Sequence, residues 1–421
     1  MTDAAKYDSP PGLRSSLRNG SFLALSKLYY LAVRGAYIVF FARIIGVEAY
    51  GYYSYAQNWY VLFLPLAMWG MNELVISELS KTPPEKRAAL LGSGLALRVL
   101  LSIVFVLLIM VAAALLEPDS QLRLLICIYT QGLFARAIAN WYSALFVAVG
   151  KSENWLYVSV PFMTLEIVLA LVLASRGASL IEIAWMQSIL WWLMMFCSCW
   201  LYRVRMGKTA LALSPAYLRF YLSKGVSLAS ATFLMFCLTP GLLILYRNFA
   251  GDIQRIGEVA LVLQVIMILD QIIMVVSNAA LPALNRSSAD ASVTIRAFCR
   301  MVWLGALYAG GALAVACTLL IPVVIGILPA NMFSSAALLF ADTSWLLVPL
   351  IALHGFRIAL IASGRMHSLL LTMLLGVLVL LVLVWWFAGL GQLDAASLFL
   401  ALGISMGIIA ATMLLILVRE G

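Results

Sequence analysis

Charge is what this chain lacks: Asp, Glu, Lys and Arg make up 11% of its 421 residues, and histidine occurs twice. No polar stretch is long enough to form a domain with its own active site. There is no Walker sequence, no GxSxG elbow and no cluster of metal-ligating residues, which leaves nucleotide, serine-hydrolase and metal chemistry without residues to perform them. Cysteine is sparse as well. Cys127, Cys197, Cys199, Cys237, Cys299 and Cys317 lie in or beside apolar runs. They show no ligand spacing, and all six are expected to be small packing residues.

What is present is apolar surface: 64% of the residues are hydrophobic and the mean hydropathy is +1.04. About 20 apolar residues suffice to cross a hydrocarbon core roughly 30 Å thick. Twelve runs qualify, near 20–44, 49–70, 89–116, 122–148, 153–175, 179–202, 221–249, 256–283, 298–326, 334–362, 367–389 and 395–418. They far exceed the length of a transmembrane strand, so an all-α polytopic membrane protein is expected. Basic residues between the runs set the orientation. Sixteen fall on the side of the N-terminal tail and only five on the other, so both termini are expected in the cytoplasm. The net charge of +9 then reflects topology and attraction to anionic lipid, and no nucleic-acid partner is expected.

An internal repeat organises the runs. Leu17-x-x-Gly20-x-x-Leu23-Ala24 overlies Leu222-x-x-Gly225-x-x-Leu228-Ala229, and Gly46 overlies Gly251. Farther on, Gly150 and Gly177 overlie Gly364 and Gly391. Each half holds six spans, an even number, so the halves share an orientation and the pseudo-twofold axis should run along the membrane normal. The division is a cytoplasmic tail over 1–19, an N-lobe over 20–202, a basic linker over 203–220 and a C-lobe over 221–421. Gly35 in the first span overlies Pro240-Gly241 in the seventh. These are hinge candidates, because proline removes a helix hydrogen bond and glycine eases bending; the alternative is ordinary membrane-helix composition.

The few charges inside the spans carry the functional signal, since a charge at mid-bilayer costs on the order of 2.5–3.5 kcal/mol even on lenient scales. Asn19, Ser26, Lys27, Tyr30, Arg34 and Tyr37 fall on one face of the first span, and Tyr129, Arg136, Asn140 and Ser143 on one face of the fourth. Arg34 and Arg136 are expected to line a wet cationic cavity or, alternatively, to form a buried ion pair with Glu166 in the fifth span. Lys27, Arg98 and Arg357 either line the cavity or reach toward the interface. In the second half, Asp270 aligns with Gln264, Gln271, Ser277 and Asn278. With Glu166 and Asp342 it is a candidate for proton or sodium coupling, against a packing role. No other cofactor is expected. The aromatics around Tyr50–Tyr60 and Trp185–Trp200 suit an interfacial belt better than a sugar platform. His354 and His367 read as isolated interfacial residues.

Ala42-Arg43-Ile44-Ile45-Gly46 followed by Tyr50-Gly51-Tyr52-Tyr53 resembles the turn after the first helix of polysaccharide transporters. These are bacterial flippases for lipid-linked oligosaccharides, within the superfamily of multidrug and toxic compound extrusion transporters. Gly150-Lys151 and Gly364-Arg365 resemble that family's short inner turns. Ile45, where leucine is more usual, and Leu328-Pro329-Ala330-Asn331, without the usual glycine and acidic residue, depart from its pattern. The resemblance implies translocation of a polyprenyl (undecaprenyl) pyrophosphate-linked repeat unit across a bacterial inner membrane, by alternating access of two six-helix lobes. It also implies a polysaccharide polymerase and chain-length machinery as partners, for O-antigen, capsule or exopolysaccharide. Arginine suits a pyrophosphate because its charge is permanent and its contacts bidentate. A cation-coupled multidrug exporter is the nearest alternative and would need an acidic cavity; a polyprenyl-sugar polymerase or ligase would need a long outer loop. Cysteine labelling tests the orientation: in a cysteine-free background, Lys208→Cys should react only from the cytoplasm and Asp252→Cys only from outside. External labelling at position 208 would reverse the topology.

Overall fold

A computed structural model describes residues 13–207, 212–250, 253–278, 291–325 and 334–419. Twelve helical stretches among the described residues are long and apolar enough to cross a membrane, as the hydropathy pattern requires. In chain order the helices are α1 (Leu13–Ile45), α2 (Val47–Met68), α3 (Met71–Glu78), α4 (Pro84–Leu116), α5 (Ser120–Ala148), α6 (Glu153–Ser175), α7 (Leu180–Met206) and α8 (Pro215–Cys237). They continue as α9 (Pro240–Ala250), α10 (Ile253–Asn278), α11 (Ala291–Gly305), α12 (Gly311–Ile325), α13 (Ser334–Thr343), α14 (Leu347–Ala362), α15 (Met366–Gly389) and α16 (Ala395–Arg419). A π-helical turn, Ala306–Gly310, joins α11 to α12, and a 3-10 turn, Ser344–Leu346, joins α13 to α14.

Local chemistry sets where helices begin and end. Asp119 caps α5 by accepting from the Gln121 and Leu122 amides at 2.8 and 3.3 Å, and Ser179 with Glu182 forms a capping box on α7. The repeat glycines Gly150 and Gly364 both have φ of 74°, and Gly177 and Gly391 have φ of 76° and 67°. Each is followed by an amide that reaches back five residues, as in Lys151 N to Phe146 O at 2.8 Å and Arg365 N to Leu360 O at 2.9 Å. Such left-handed helix ends favour glycine. The paired positions are therefore the same turn built twice. Gly251 lies outside the described residues.

The helices gather into two compact units. One runs through Ile44 and resumes from Ala56 to Phe233; the other takes Ile45–Tyr55 and Leu234–Gly421. In the first, α5 packs on α3, α4 and α7, and glycines permit the close approaches. Gly94 lies under Trp141 and Gly132 under Trp191, the small-residue packing that membrane helices use in place of a hydrophobic driving force. Helix α8 belongs here up to Phe233, although the repeat division assigned it to the second lobe. The Trp141 and Tyr221 rings meet edge-on at 6.4 Å, and Gly225 lies directly against the Trp69 carbonyl. In the second unit, α14 packs on α10, α11 and α16, with Gly355 beneath Val302 and Gly403 beneath Trp345.

Two spans are broken. The second runs on to Glu78, past a turn at Trp69 and Gly70 with φ of 50° and 62°. The seventh ends as α8 at Cys237 and restarts as α9 at Pro240. Proline has no amide to donate, so it serves as the first residue of a new helix, not as a kink in an old one. Gly35, its repeat counterpart, sits inside an unbroken α1, because a glycine leaves the hydrogen-bond ladder intact. The Gly225 contact gives a stability test. Gly225→Val drives a side chain into backbone and should lower the detergent-solubilised protein's stability by about 1–3 kcal/mol, read from thermal unfolding. Gly407→Ala, whose added methyl meets open space, should be neutral or slightly stabilising.

Candidate functional site

Two arginines from different helices meet in the first unit. Arg34 of α1 and Arg136 of α5 line one small cavity with Tyr30 and Val33 of α1 and Met163, Glu166 and Ile167 of α6. The cavity holds about 20 Å³, enough for roughly one water molecule. The α1 face reaches its neighbours by polar contacts. Ser26 and Ser159 hydroxyls lie 3.2 Å apart, Tyr29 bonds Thr164, and Arg34 Nη2 donates to Gln57 Oε1 at 3.1 Å.

Behind the arginines is a fully packed polar and aromatic wall. Arg136 Nη1 donates to the Tyr60 hydroxyl at 2.8 Å, and its guanidinium lies 4.2 Å from the centroid of the Trp191 ring. The Trp191 indole N–H in turn donates to Glu166 Oε2 at 2.9 Å. One indole therefore gives its face to the cation and its edge to the carboxylate. Gln187, with no exposed surface, accepts from the Tyr129 hydroxyl at 2.8 Å and from Gln57 Nε2 at 3.4 Å. It donates to the Tyr37 hydroxyl at 3.4 Å. Charge-assisted bonds and cation–π contacts, each worth roughly 0.5–3 kcal/mol, offset the desolvation of the arginines. Both remain only half-buried and line the cavity.

The other candidates separate. Arg98, 0% exposed, donates from Nη1 to Ala137 O at 3.1 Å and from Nη2 to Met68 O at 2.8 Å, with Trp141 at 5.3 Å. Met68 O belongs to the last turn of α2, where helix carbonyls lack intrahelical partners. Arg98 therefore holds the second-span break and neither reaches the interface nor faces the cavity. Arg357 is half-buried on α14, in the other unit. The side chain of Lys27 and that of Asn278 lie outside the described residues. Asp342 is exposed on α13.

Three expectations are corrected. Tyr50, Tyr53, Tyr55, Trp59 and Tyr60 are buried; they are core and wall, not an interfacial belt. The α7 tryptophans divide, with Trp185 and Trp200 exposed and Trp191 buried against the arginine site. His354 is not interfacial, for it is fully buried and its Nε2 lies 2.6 Å from Asp270 Oδ1. Gln57 and Gln187 escaped the sequence reading because uncharged polar residues recur along these spans, and Tyr60 was read there only as part of a belt. Position on a helical face was the only signal available.

Twelve apolar helical stretches among the described residues define a polytopic membrane protein. The chain belongs to the polysaccharide biosynthesis protein family, which it matches over residues 16–288. Its fold is shared with the lipid II flippase MurJ in an inward-closed conformation, at a TM-score of 0.72 and 14% identity over 95% of this chain and 87% of that one. An inward-facing multidrug resistance MATE family transporter of the MOP superfamily matches at 0.66 and 12% identity, over 94% of both chains. A MOP superfamily transporter from Pyrococcus furiosus matches at 0.54 and 13% identity, over 100% of this chain and 98% of that one. No curated protein matches the sequence.

The fate of Arg98 is open to experiment. Arg98→Met loses two charge-assisted bonds and should destabilise the protein by about 2–4 kcal/mol, seen as a lowered unfolding midpoint, while the folded fraction keeps transport activity. An unchanged midpoint with lost transport would instead put Arg98 on the substrate path.

Proposed function

We propose that this protein is a flippase for a polyprenyl (undecaprenyl) pyrophosphate-linked oligosaccharide, carrying it from the cytoplasmic to the outer leaflet of a bacterial inner membrane by alternating access. The observation that carries this reading is the convergence of Arg34 and Arg136 on one cavity. A pyrophosphate presents several anionic oxygens, and paired guanidiniums bind them with directed, bidentate hydrogen bonds. The aromatic wall excludes bulk water on the far side of the arginines and strengthens that attraction.

Family membership and the fold of a lipid II flippase support a lipid-linked cargo. The rival reading, export of cationic drugs, needs an acidic interior. Here the one carboxylate that lines the cavity among the described residues, Glu166, accepts from Trp191. The Pyrococcus furiosus neighbour is itself described as having a binding pocket of reverse polarity, so this fold accommodates either sign of cavity. The turn before Pro240 is our candidate for the flexing point of the cycle, and the outward product would pass to a polysaccharide polymerase and its chain-length partner.

Arg34→Gln or Arg136→Gln should lower translocation roughly 10–100-fold at normal protein level, the equivalent of one lost charge-assisted contact of about 1.5–3 kcal/mol. Arg→Lys should keep part of the activity. The measurement is the arrival of labelled lipid-linked oligosaccharide in the outer leaflet of proteoliposomes. Full activity in both neutral variants would end the cationic-cavity model. Loss of the protein itself, reversed by removing Glu166 as well, would favour a structural role for the arginines.

A further inference from the structure

The second unit holds an acid and an imidazole for which translocation of a pyrophosphate has no direct use. His354 Nε2 on α14 lies 2.6 Å from Asp270 Oδ1 on α10. The imidazole is 0% and the carboxylate 6% exposed. The other ring nitrogen, His354 Nδ1, is buried without a hydrogen-bond partner among the described residues. Buried polar atoms in folded proteins are nearly always paired. One that is not, on a ring already anchored to a carboxylate, is a place where a proton can be added without breaking the anchor.

Charge arithmetic gives that proton a consequence. With a neutral imidazole the pair carries one negative charge; with a proton also on Nδ1 it is neutral overall. An uncompensated charge sealed in a low-dielectric interior is strongly unfavourable. The neutral pair therefore tolerates closure, while the anionic pair favours water or a cation.

Among charged side chains on the elements packed against α10 and α14, Arg255, Arg300, Asp342, His367 and Arg419 are exposed, Glu258 of α10 accepts from the Ser335 hydroxyl, and Arg365 donates to Ile416 O. Arg247 is half-buried on α9. Cys299 and Cys317 add buried thiols on α11 and α12. Arg357, three residues beyond His354 on α14 and half-buried, is the cation on the same helical face.

We propose that Asp270 and His354 form the proton-exchange site that couples this transporter to the proton gradient, with His354 Nδ1 as the atom that takes up and releases the proton. A hydronium O–H bond breaks, an N–H bond forms at Nδ1 and water leaves; the reverse occurs on the other side of the membrane. Each exchange switches the pair between a state that tolerates closure and one that demands hydration, which biases the second unit's arrangement. The proposal rests on the translocation reading for its cargo but not for its chemistry.

The chain has only two histidines, so the site can be followed directly. In the full-length protein in nanodiscs, labelled with ¹⁵N-histidine, His367→Gln leaves the His354 signals alone. They should report gain and loss of a proton at Nδ1 as the pH is varied, and Asp270→Asn should alter that response. A flat response in the otherwise native protein overturns the proposal. In proteoliposomes carrying polyprenyl-pyrophosphate oligosaccharide, an imposed pH gradient should accelerate translocation. His354→Gln and Asp270→Asn should lose that acceleration while keeping the slow gradient-independent rate. Translocation indifferent to the pH gradient, or driven by sodium instead, also overturns it. If His354 titrates but no cargo moves under any gradient, the flippase reading fails and the proton site stands.

Discussion

A guanidinium inside a bilayer must be solvated by the protein, because hydrocarbon offers it nothing, and much of the polar interior follows from that demand. Trp191 meets it most economically. Its ring face receives Arg136 and its N–H fixes Glu166, so cation and carboxylate are balanced without the carboxylate occupying the guanidinium's hydrogen-bonding edge. A direct Arg136–Glu166 bond would satisfy the same charges and close the site to any anionic ligand. With the indole interposed, neutralisation and availability coexist.

The arginines show how one residue type takes different roles according to what surrounds it. Arg98 is enclosed and spends its donors on backbone carbonyls at a helix break; Arg34 and Arg136 keep an open side on a cavity. The break that Arg98 holds contains Trp69 at positive φ, a conformation that costs a bulky residue on the order of 1–2 kcal/mol. The Trp69 indole N–H donates to Leu222 O at 3.3 Å. Through Ala137 O, which accepts from Arg98, this bracing reaches the backbone next to Arg136.

Legibility in the sequence varied with the range of the physics involved. The helix-end glycines of the repeat could be paired by inspection, since a left-handed turn is a property of a few neighbouring residues. Arg34, Arg136 and Glu166 could be picked out because ionised groups are rare and expensive in hydrocarbon. Their grouping was visible only as alternatives. Arg98 lay within an apolar span as they do, and nothing local distinguished a structural cation from a cavity cation. His354 looked isolated because its acid partner lies 84 positions away.

The sequence by itself determined that this is a membrane protein of twelve spans, where those spans turn, and which few charges enter them. Each of these follows from local composition or from the transfer cost of a single side chain. The tertiary structure decided which charges share a site, which aromatics form its wall, and that an imidazole stands against Asp270. Those outcomes depend on contacts such as Arg136 to Tyr60, 76 residues apart, and Asp270 to His354. Helix packing chooses among many such pairings, all of them compatible with the same one-dimensional pattern of polar and apolar residues.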